Sequence, residues 1–395
     1  MSTPVLVRSA GAEPFRLEWL KVAVLMLVAV FFGYRYLTLL APFYAALCLT
    51  LLALAVLSWR RMLPERLEGL AFSSAVSLVF LDLVFYQIDL GAMLGAVSRL
   101  NYGFLVPTSA LIVLSFLIRS ARWGWLLRNT RAVPFISLLS GFSIGIAANM
   151  ILPARAGEFI RAYVLGRREG LSKTTVFATV VLERIFDGLT VLLALLGVVL
   201  FMGVRGPEIQ AMGFAGAAFY IGAIAAIVLV YFKEPWLERR LRLLPAAIAD
   251  KAIALLRAFA DGLASIRSWR QLAMITLLSL VTWIVIALSF WPALAAFDFG
   301  APVPPYTPFL LIATAGLALM IPAAPAGIGP FQYACLLTLR IAFAPALLSL
   351  AGDFNEKAAA FSLVAHLSQA APEILMGLIF FLFEGLSLRD VRTDL

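Results

Sequence analysis

Apolar residues run on for long enough, several times over, to cross a hydrocarbon layer about 30 Å thick as α-helices. In lipid, backbone amides must be satisfied within a helix or a closed barrel. A barrel would show alternating segments of about ten residues, whereas this chain shows long apolar blocks. It is therefore read as an all-α polytopic membrane protein. Composition agrees: 63% of residues are hydrophobic and 13% charged, against roughly 25% charged in a soluble domain.

Apolar runs set against flanking Lys and Arg place about eight transmembrane helices, near residues 19–39, 43–58, 69–86, 104–121, 174–202, 213–232, 271–293 and 356–384. Basic groups orient them: Arg60, Arg61 and Arg66; Arg122, Arg128 and Arg131; Arg167, Arg168 and Lys173; Lys233 through Arg270; and Arg389 with Arg392. By the positive-inside rule all are cytoplasmic, as are both termini of a multi-pass protein in a bacterial-type inner membrane. The net charge of +9 follows from these helix-end clusters, so no nucleic-acid partner is expected. Cys48 and Cys335 lie in apolar segments and read as packing residues, with neither a disulfide nor a metal site implied. A removable signal peptide is not expected, because no small-residue cleavage site follows the first apolar stretch.

Two segments break the pattern. "NMILPARAGEFIRAYVLGRREG", residues 149–170, lies between two basic groups of the same side, so it should enter and turn back. Pro153 lacks an amide hydrogen and Gly157 tolerates strained dihedrals, which together divide a helix into a re-entrant hairpin. Pro325 and Gly329, ahead of Phe331, repeat the spacing of Pro153 and Gly157 ahead of Phe159. This second hairpin follows the Pro-rich stretch "APVPPYTP", read as external. The chain is thus expected to hold two opposed re-entrant hairpins in an inverted repeat whose tips meet near the midplane. "IDLGAMLGAVSRLNYG" and residues 235–268 read as amphipathic surface helices.

Charges at membrane depth are costly and therefore candidates for function. In the first hairpin these are Arg155, Glu158 and Arg161, with Asn149 as a further donor. Glu158 and Arg161 are three apart on one helical face, so one Arg can neutralise Glu158 while the other grips a phosphate with parallel hydrogen bonds. A self-satisfied salt-bridge cluster is the structural alternative. "VLERIFDGLTV" adds Glu183, Arg184 and Asp187, which either answer those arginines or snorkel to the inner leaflet. Ser362, His366, Gln369 and Glu373 share one face of the last span, as a proton relay or as packing. Asp82, amid "LVFLDLVF", receives no role. No phosphate-binding Gly-rich loop, G-x-S-x-G or H-E-x-x-H occurs, which disfavours ATP-driven transport by this chain alone and standard hydrolysis. No cofactor or metal is implied. Glu183 and Asp187 leave glycosyl transfer open, and a non-transporting scaffold is the third reading.

"LIRSARWGWLL" (Leu117 to Leu127), the long segment from Ala148 through "VLERIFDGL", and "PAAPAGIGPFQ" together resemble the flippase-like transmembrane domain of lysylphosphatidylglycerol synthases and their stand-alone relatives, over roughly residues 70–385. The resemblance implies a domain that moves a lipid between leaflets. It carries that role onto Arg155, Glu158, Arg161, Glu183, Arg184 and Asp187, and adds Arg119, Arg122 and Trp123. Residues 67–395 would form this domain, preceded by a two-helix extension, 1–66. No transferase follows the last span, so synthesis of lysyl lipid is not expected and a separate lipid-modifying enzyme is an expected partner. The cargo stays open among an aminoacyl lipid, a polyprenyl-linked sugar, a hopanoid and another phospholipid.

Overall fold

A computed structural model describes residues 17–39, 41–86, 88–152, 156–201, 268–344 and 352–385, with scattered positions between 210 and 257. Regular structure among the described residues is helical throughout. The chain divides into two compact units, Met1–Val79 and Phe80–Leu395.

The first unit holds α1 (Leu17–Leu39), α2 (Pro42–Trp59) and most of α3 (Glu65–Phe85). Leu25, Ala29 and Phe32 recur at helical spacing on one face of α1 and bury against Leu51 and Ala55 of α2 and Ala75 of α3. The opposite face is just as apolar: Leu27 is 68% exposed and Leu37 72%. A helix apolar all round with half of it uncovered belongs in lipid. Within the unit, buried Glu68 accepts hydrogen bonds from Ser58 Oγ and from Lys21 Nζ, the latter at 3.4 Å.

In the second unit α4 (Leu90–Ser98) is a short helix started by Asp89, whose carboxylate accepts from the Gly91 and Ala92 amides at 2.7 and 3.1 Å. It ends before Asn101 and a 3-10 turn, so the expected surface helix is one short helix plus a turn. Leu90 and Leu94 are exposed. There follow α5 (Leu105–Leu127), α6 (Phe135–Ile151), α7 (Gly157–Glu169) and α8 (Lys173–Phe201). After the sparsely described stretch come α9 (Trp269–Ala295), α10 (Thr307–Ala318), α11 (Pro330–Ala342) and α12 (Phe354–Phe383).

Among the described residues six helices are long and apolar enough to cross a membrane: those at Leu20–Leu39, Pro42–Trp59, Leu67–Phe85, Tyr102–Leu127, Trp269–Ala295 and Phe354–Phe383. They match six of the expected spans. The span expected at 174–202 is the continuous α8, 29 residues long and interrupted only by its charges. The one expected at 213–232, like most of 235–268, falls largely outside the described residues. Arg122, expected in a basic loop, sits instead inside α5 with 0% exposure. Its guanidinium is compensated there by buried carboxylates, so it does not belong to the orienting loop charges.

α6 and α7 form an antiparallel hairpin, and three glycine-mediated contacts fix its register. As the contact on α6 steps back by four residues, from Asn149 to Gly145 to Gly141, its partner on α7 steps forward by four, from Gly157 to Arg161 to Leu165. Pro153 and Arg155, between the two helices in sequence, lie outside the described residues. The helices cross backbone to backbone: a Cβ at Gly157 would lie 2.0 Å from the Gly145 carbonyl oxygen. At 17 and 13 residues the arms are about 25 and 20 Å long, each short of a full crossing.

The second hairpin, α10 and α11, is antiparallel as well, with Thr314 and Thr338 hydroxyls 2.6 Å apart and Tyr306 donating to the Ala342 carbonyl. Its tip, Pro325–Gly327, has positive φ at Ala326, Gly327 and Gly329, and packs against α6. Only glycine fits at position 327, where φ is positive and a Cβ would strike Leu319 at 2.2 Å. α12 lies antiparallel along α6: Gly377 meets Ala147 and Ser143, and Glu384 at its end accepts from Ser140 Oγ at 2.5 Å and from Arg168.

Candidate functional site

Arg119, Arg122, Glu158, Arg161, Glu183, Arg184 and Asp187 converge where α5, α7, α8 and α9 meet. On α5, Arg119, Arg122 and Trp123 share a face at spacings of three and four. On α8, Glu183 and Asp187 do the same. Arg122 reaches both acids, with Nη1 2.6 Å from Asp187 Oδ1 and Nη2 3.1 Å from Glu183 Oε1. Arg161 Nη2 lies 2.7 Å from the other Glu183 oxygen. Arg184 Nη2 touches Glu183 at 2.9 Å and Asp187 at 3.3 Å, and its Nε is 3.7 Å from Glu158. Arg119 closes the ring on Asp187 at 3.7 Å.

Side-chain exposure is 0% for Arg122 and Glu183, 1% for Arg161 and 6% for Asp187. Glu183 and Asp187 are ten and fourteen residues into α8, about 15–21 Å from its start. Taking such charges out of water is tolerable only with close pairing and added hydrogen bonds. α9 supplies some: Ser279 Oγ accepts from Arg122 at 2.9 Å, and Trp283 Nε1 donates to Asp187 at 3.1 Å. Aromatic faces supply the rest. The Arg161 guanidinium lies 3.7 Å from the Trp123 ring centroid and 4.6 Å from that of Phe142, on which Arg119 also stacks at 4.9 Å. Trp123 is held by its Nε1 bond to Thr179 at 2.9 Å.

This geometry corrects part of the expected pairing. Arg161, three residues from Glu158 on one helical face, bonds to Glu183. It is enclosed between Trp123, Phe142 and Glu183, because a planar guanidinium can stack and accept an ion pair at once. Glu158 instead faces Arg184 and, at 3.5 Å, Asn149 Nδ2. Arg184, at 32% side-chain exposure, is the guanidinium of the four that the surroundings reach.

The cluster holds four guanidinium groups, Arg119, Arg122, Arg161 and Arg184, against three paired carboxylates, Glu158, Glu183 and Asp187. Glu373 faces Arg119 as a fourth carboxylate, so the charges of the described groups balance. Donors are in excess: among the described residues Arg119 Nε, Arg122 Nε and Nη2, Arg161 Nε and Nη1 and Arg184 Nε have no hydrogen-bond partner, against Asp187 Oδ2 and Asn149 Oδ1 among the acceptors. A self-contained structural network leaves few buried donors unmatched.

The polar stripe of α12 does not form one relay. His366 Nδ1 lies 2.8 Å from Gln332 Nε2 and its ring stacks on Phe331 at 4.4 Å, so it joins the second hairpin. Gln332 in turn accepts from the Gly329 amide at 2.7 Å. Glu373 interacts electrostatically with Arg119 at the charge cluster, while Gln369 Nε2 between them has no hydrogen-bond partner among the described residues. Ser362 bonds its own helix at Ala359. Sequence reasoning missed Ser279, Trp283, Thr179 and Phe142, residues that cost a membrane helix little and so stand out from nothing around them.

A family model described as the lysylphosphatidylglycerol synthase TM region matches residues 69–377, most of the chain and every described member of the cluster. The chain belongs to that family. As a lysylphosphatidylglycerol synthase TM region it is a multi-pass membrane protein, in keeping with its lipid-length helices. Two curated relatives align over shorter stretches. The glycosyltransferase AglD of Haloferax volcanii is 29% identical over 126 residues, 32% of this chain and 20% of the relative. A UPF0104 membrane protein of Methanocaldococcus jannaschii is 28% identical over 115 residues, 28% of this chain and 34% of the relative. The matched stretches thus span about a third or less of those relatives' lengths. No solved structure matches.

Proposed function

We propose that this protein moves a lipid between the leaflets of the inner membrane of a bacterial-type cell, and that the α5–α7–α8–α9 cluster holds the anionic headgroup on the way. The reading rests on one observation: guanidinium groups with unmatched donors, buried at membrane depth beside a broken helical hairpin. An anion bound there supplies acceptors for donors that the protein leaves bare, and hydrogen bonds between charged partners are the strong ones. The short arms of the two hairpins support a re-entrant arrangement, since irregular backbone at that depth is tolerated where it lines a polar or protein-filled space. Half-helices meeting in this way are how transporters with inverted repeats build sites near the midplane.

On this reading residues 67–395 are the transporting part and residues 1–66 an added pair of helices, with both termini cytoplasmic. A separate enzyme modifies the lipid. Movement follows the lipid gradient, protons or the membrane potential. The glycosyltransferase name of one relative gives a second reading. Against it, Glu183 and Asp187 are both engaged by guanidinium groups, so neither is free to take a proton from a sugar acceptor.

The test is translocation of fluorescent phosphatidylglycerol in vesicles reconstituted with Arg122→Gln and Arg161→Gln proteins, each checked for monodispersity. Loss of translocation in both is expected. Wild-type rates in both variants remove the headgroup role and leave a scaffold. Sugar transfer from a lipid-linked donor, abolished by Glu183→Gln, decides for the second reading.

A further inference from the structure

Among the described residues of the cluster Arg184 is the most exposed, and the residues beside it on α8 are apolar. Arg184 follows Phe177 and Val181 at helical spacing on the face of α8 that is partly uncovered. Phe159, the third residue of α7, is 54% exposed and stacks on Phe177 at 4.8 Å, with the rings 11° from parallel. Exposed Ile151 ends α6 close by in sequence. An oily strip therefore leads to the most exposed guanidinium, with the remaining cationic groups behind it. A soluble anion has no use for the strip, and an apolar molecule has none for the arginine. Together they match an amphiphile.

The contacts of Arg184 say how such a molecule is received. Its three carboxylate partners lie at 2.9, 3.3 and 3.7 Å, and the farthest is Glu158, whose other contact, to Asn149, is a long 3.5 Å. Arg184 Nε, beside Glu158, has no hydrogen-bond partner among the described residues. Glu158 is thus the carboxylate most easily exchanged for an incoming oxygen anion.

We propose that a glycerophospholipid with a singly anionic phosphodiester headgroup is received sideways between α7 and α8, its phosphate taking the place of Glu158 on Arg184 and its chains lying on Phe159 and Phe177. This rests on the transport reading and names its substrate class and its point of access.

The experiment uses the whole protein in phosphatidylcholine vesicles containing phosphatidylglycerol with a photoreactive group in one acyl chain, with cross-linked peptides located by mass spectrometry. Adducts are expected to concentrate on the α7 and α8 strip. Arg184→Gln should weaken labelling there about tenfold or more, the change in affinity for losing one hydrogen bond between charged partners. Val181→Trp, which fills the strip without touching a charge, should lower it too and guards against misfolding of the first variant. Water-soluble glycerol phosphate should leave labelling unchanged; if it abolishes labelling, the site serves a soluble anion and the proposal fails. It fails equally if adducts spread evenly over lipid-facing helices such as α12, or if both variants label like the wild type. Translocation measured in the same vesicles separates the two claims. Wild-type translocation by an unlabelled Val181→Trp protein overturns the lateral route alone, whereas confined labelling without translocation by any variant overturns transport and leaves the receiving face.

Discussion

Glu183 shows how a single side chain governs the cluster. It is fully buried, yet its two oxygens face Arg122, Arg161 and Arg184 within 3.1 Å. Removing one partner of a buried pair strands the other charges, typically at about 3–5 kcal/mol, whereas replacing a pair by apolar groups of like volume is nearly neutral. Glu183→Gln should therefore be the most destabilising of the conservative changes in the cluster, and Glu183→Gln with Arg161→Met should recover part of the loss. Thermal unfolding in detergent measures both, and a single variant as stable as the wild type would contradict the pairing described above. Arg161→Lys should not substitute for the native residue, since a lysine cannot lie flat on Trp123 and Phe142 while reaching Glu183.

Among the elements, the α6–α7 hairpin depends on its glycines rather than on its charges. Gly157→Ala places a methyl group 2.0 Å from the Gly145 carbonyl oxygen, backbone that cannot swing aside, and should cost about 3 kcal/mol as severe overpacking. Gly197, on α8, has nothing within 4 Å of a built Cβ. Gly197→Ala should raise stability by about 0.5–1 kcal/mol through helix propensity alone. The two substitutions are chemically the same, so opposite shifts in melting temperature isolate the contribution of the helix crossing. Equal shifts would mean that α6 and α7 do not touch as described. Gly377 sets the same kind of approach between α12 and α6, where a Cβ would lie 2.1 Å from that of Ala147.

Over the whole molecule, orientation follows from basic groups at helix ends, each too costly to carry through oil. In a background of Cys48→Ala and Cys335→Ala, Pro302→Cys in the exposed loop before α10 should react with a membrane-impermeant maleimide in intact cells. Arg60→Cys, at the end of α2, should react only after permeabilisation. The reverse pattern would invert the topology and with it the side from which each hairpin is reached. Titrating the phosphatidylglycerol fraction of reconstituted vesicles adds a measurement at the same scale: translocation of a labelled tracer should fall as unlabelled anionic lipid competes for one site. No competition would mean that the headgroup charge is not what the cluster reads.

The fold class, six lipid-length helices and the two broken segments were legible in the sequence because each is a local property: hydropathy over a helix length, or a Pro and a Gly four residues apart. The candidate charges were legible for a related reason, since an arginine or glutamate in an apolar run is expensive wherever the run folds. What only the tertiary structure decided is pairing. Arg122 was read as a loop charge, yet it meets Ser279 across 157 positions of sequence. Arg161 shares a helical face with Glu158, yet it meets Glu183 and lies on Trp123. His366 shares a helical face with Glu373, yet it is joined to Gln332 of the second hairpin. Periodicity says which side of a helix a residue occupies; which helix stands opposite depends on close packing between segments far apart in the chain, and no local pattern carries that information.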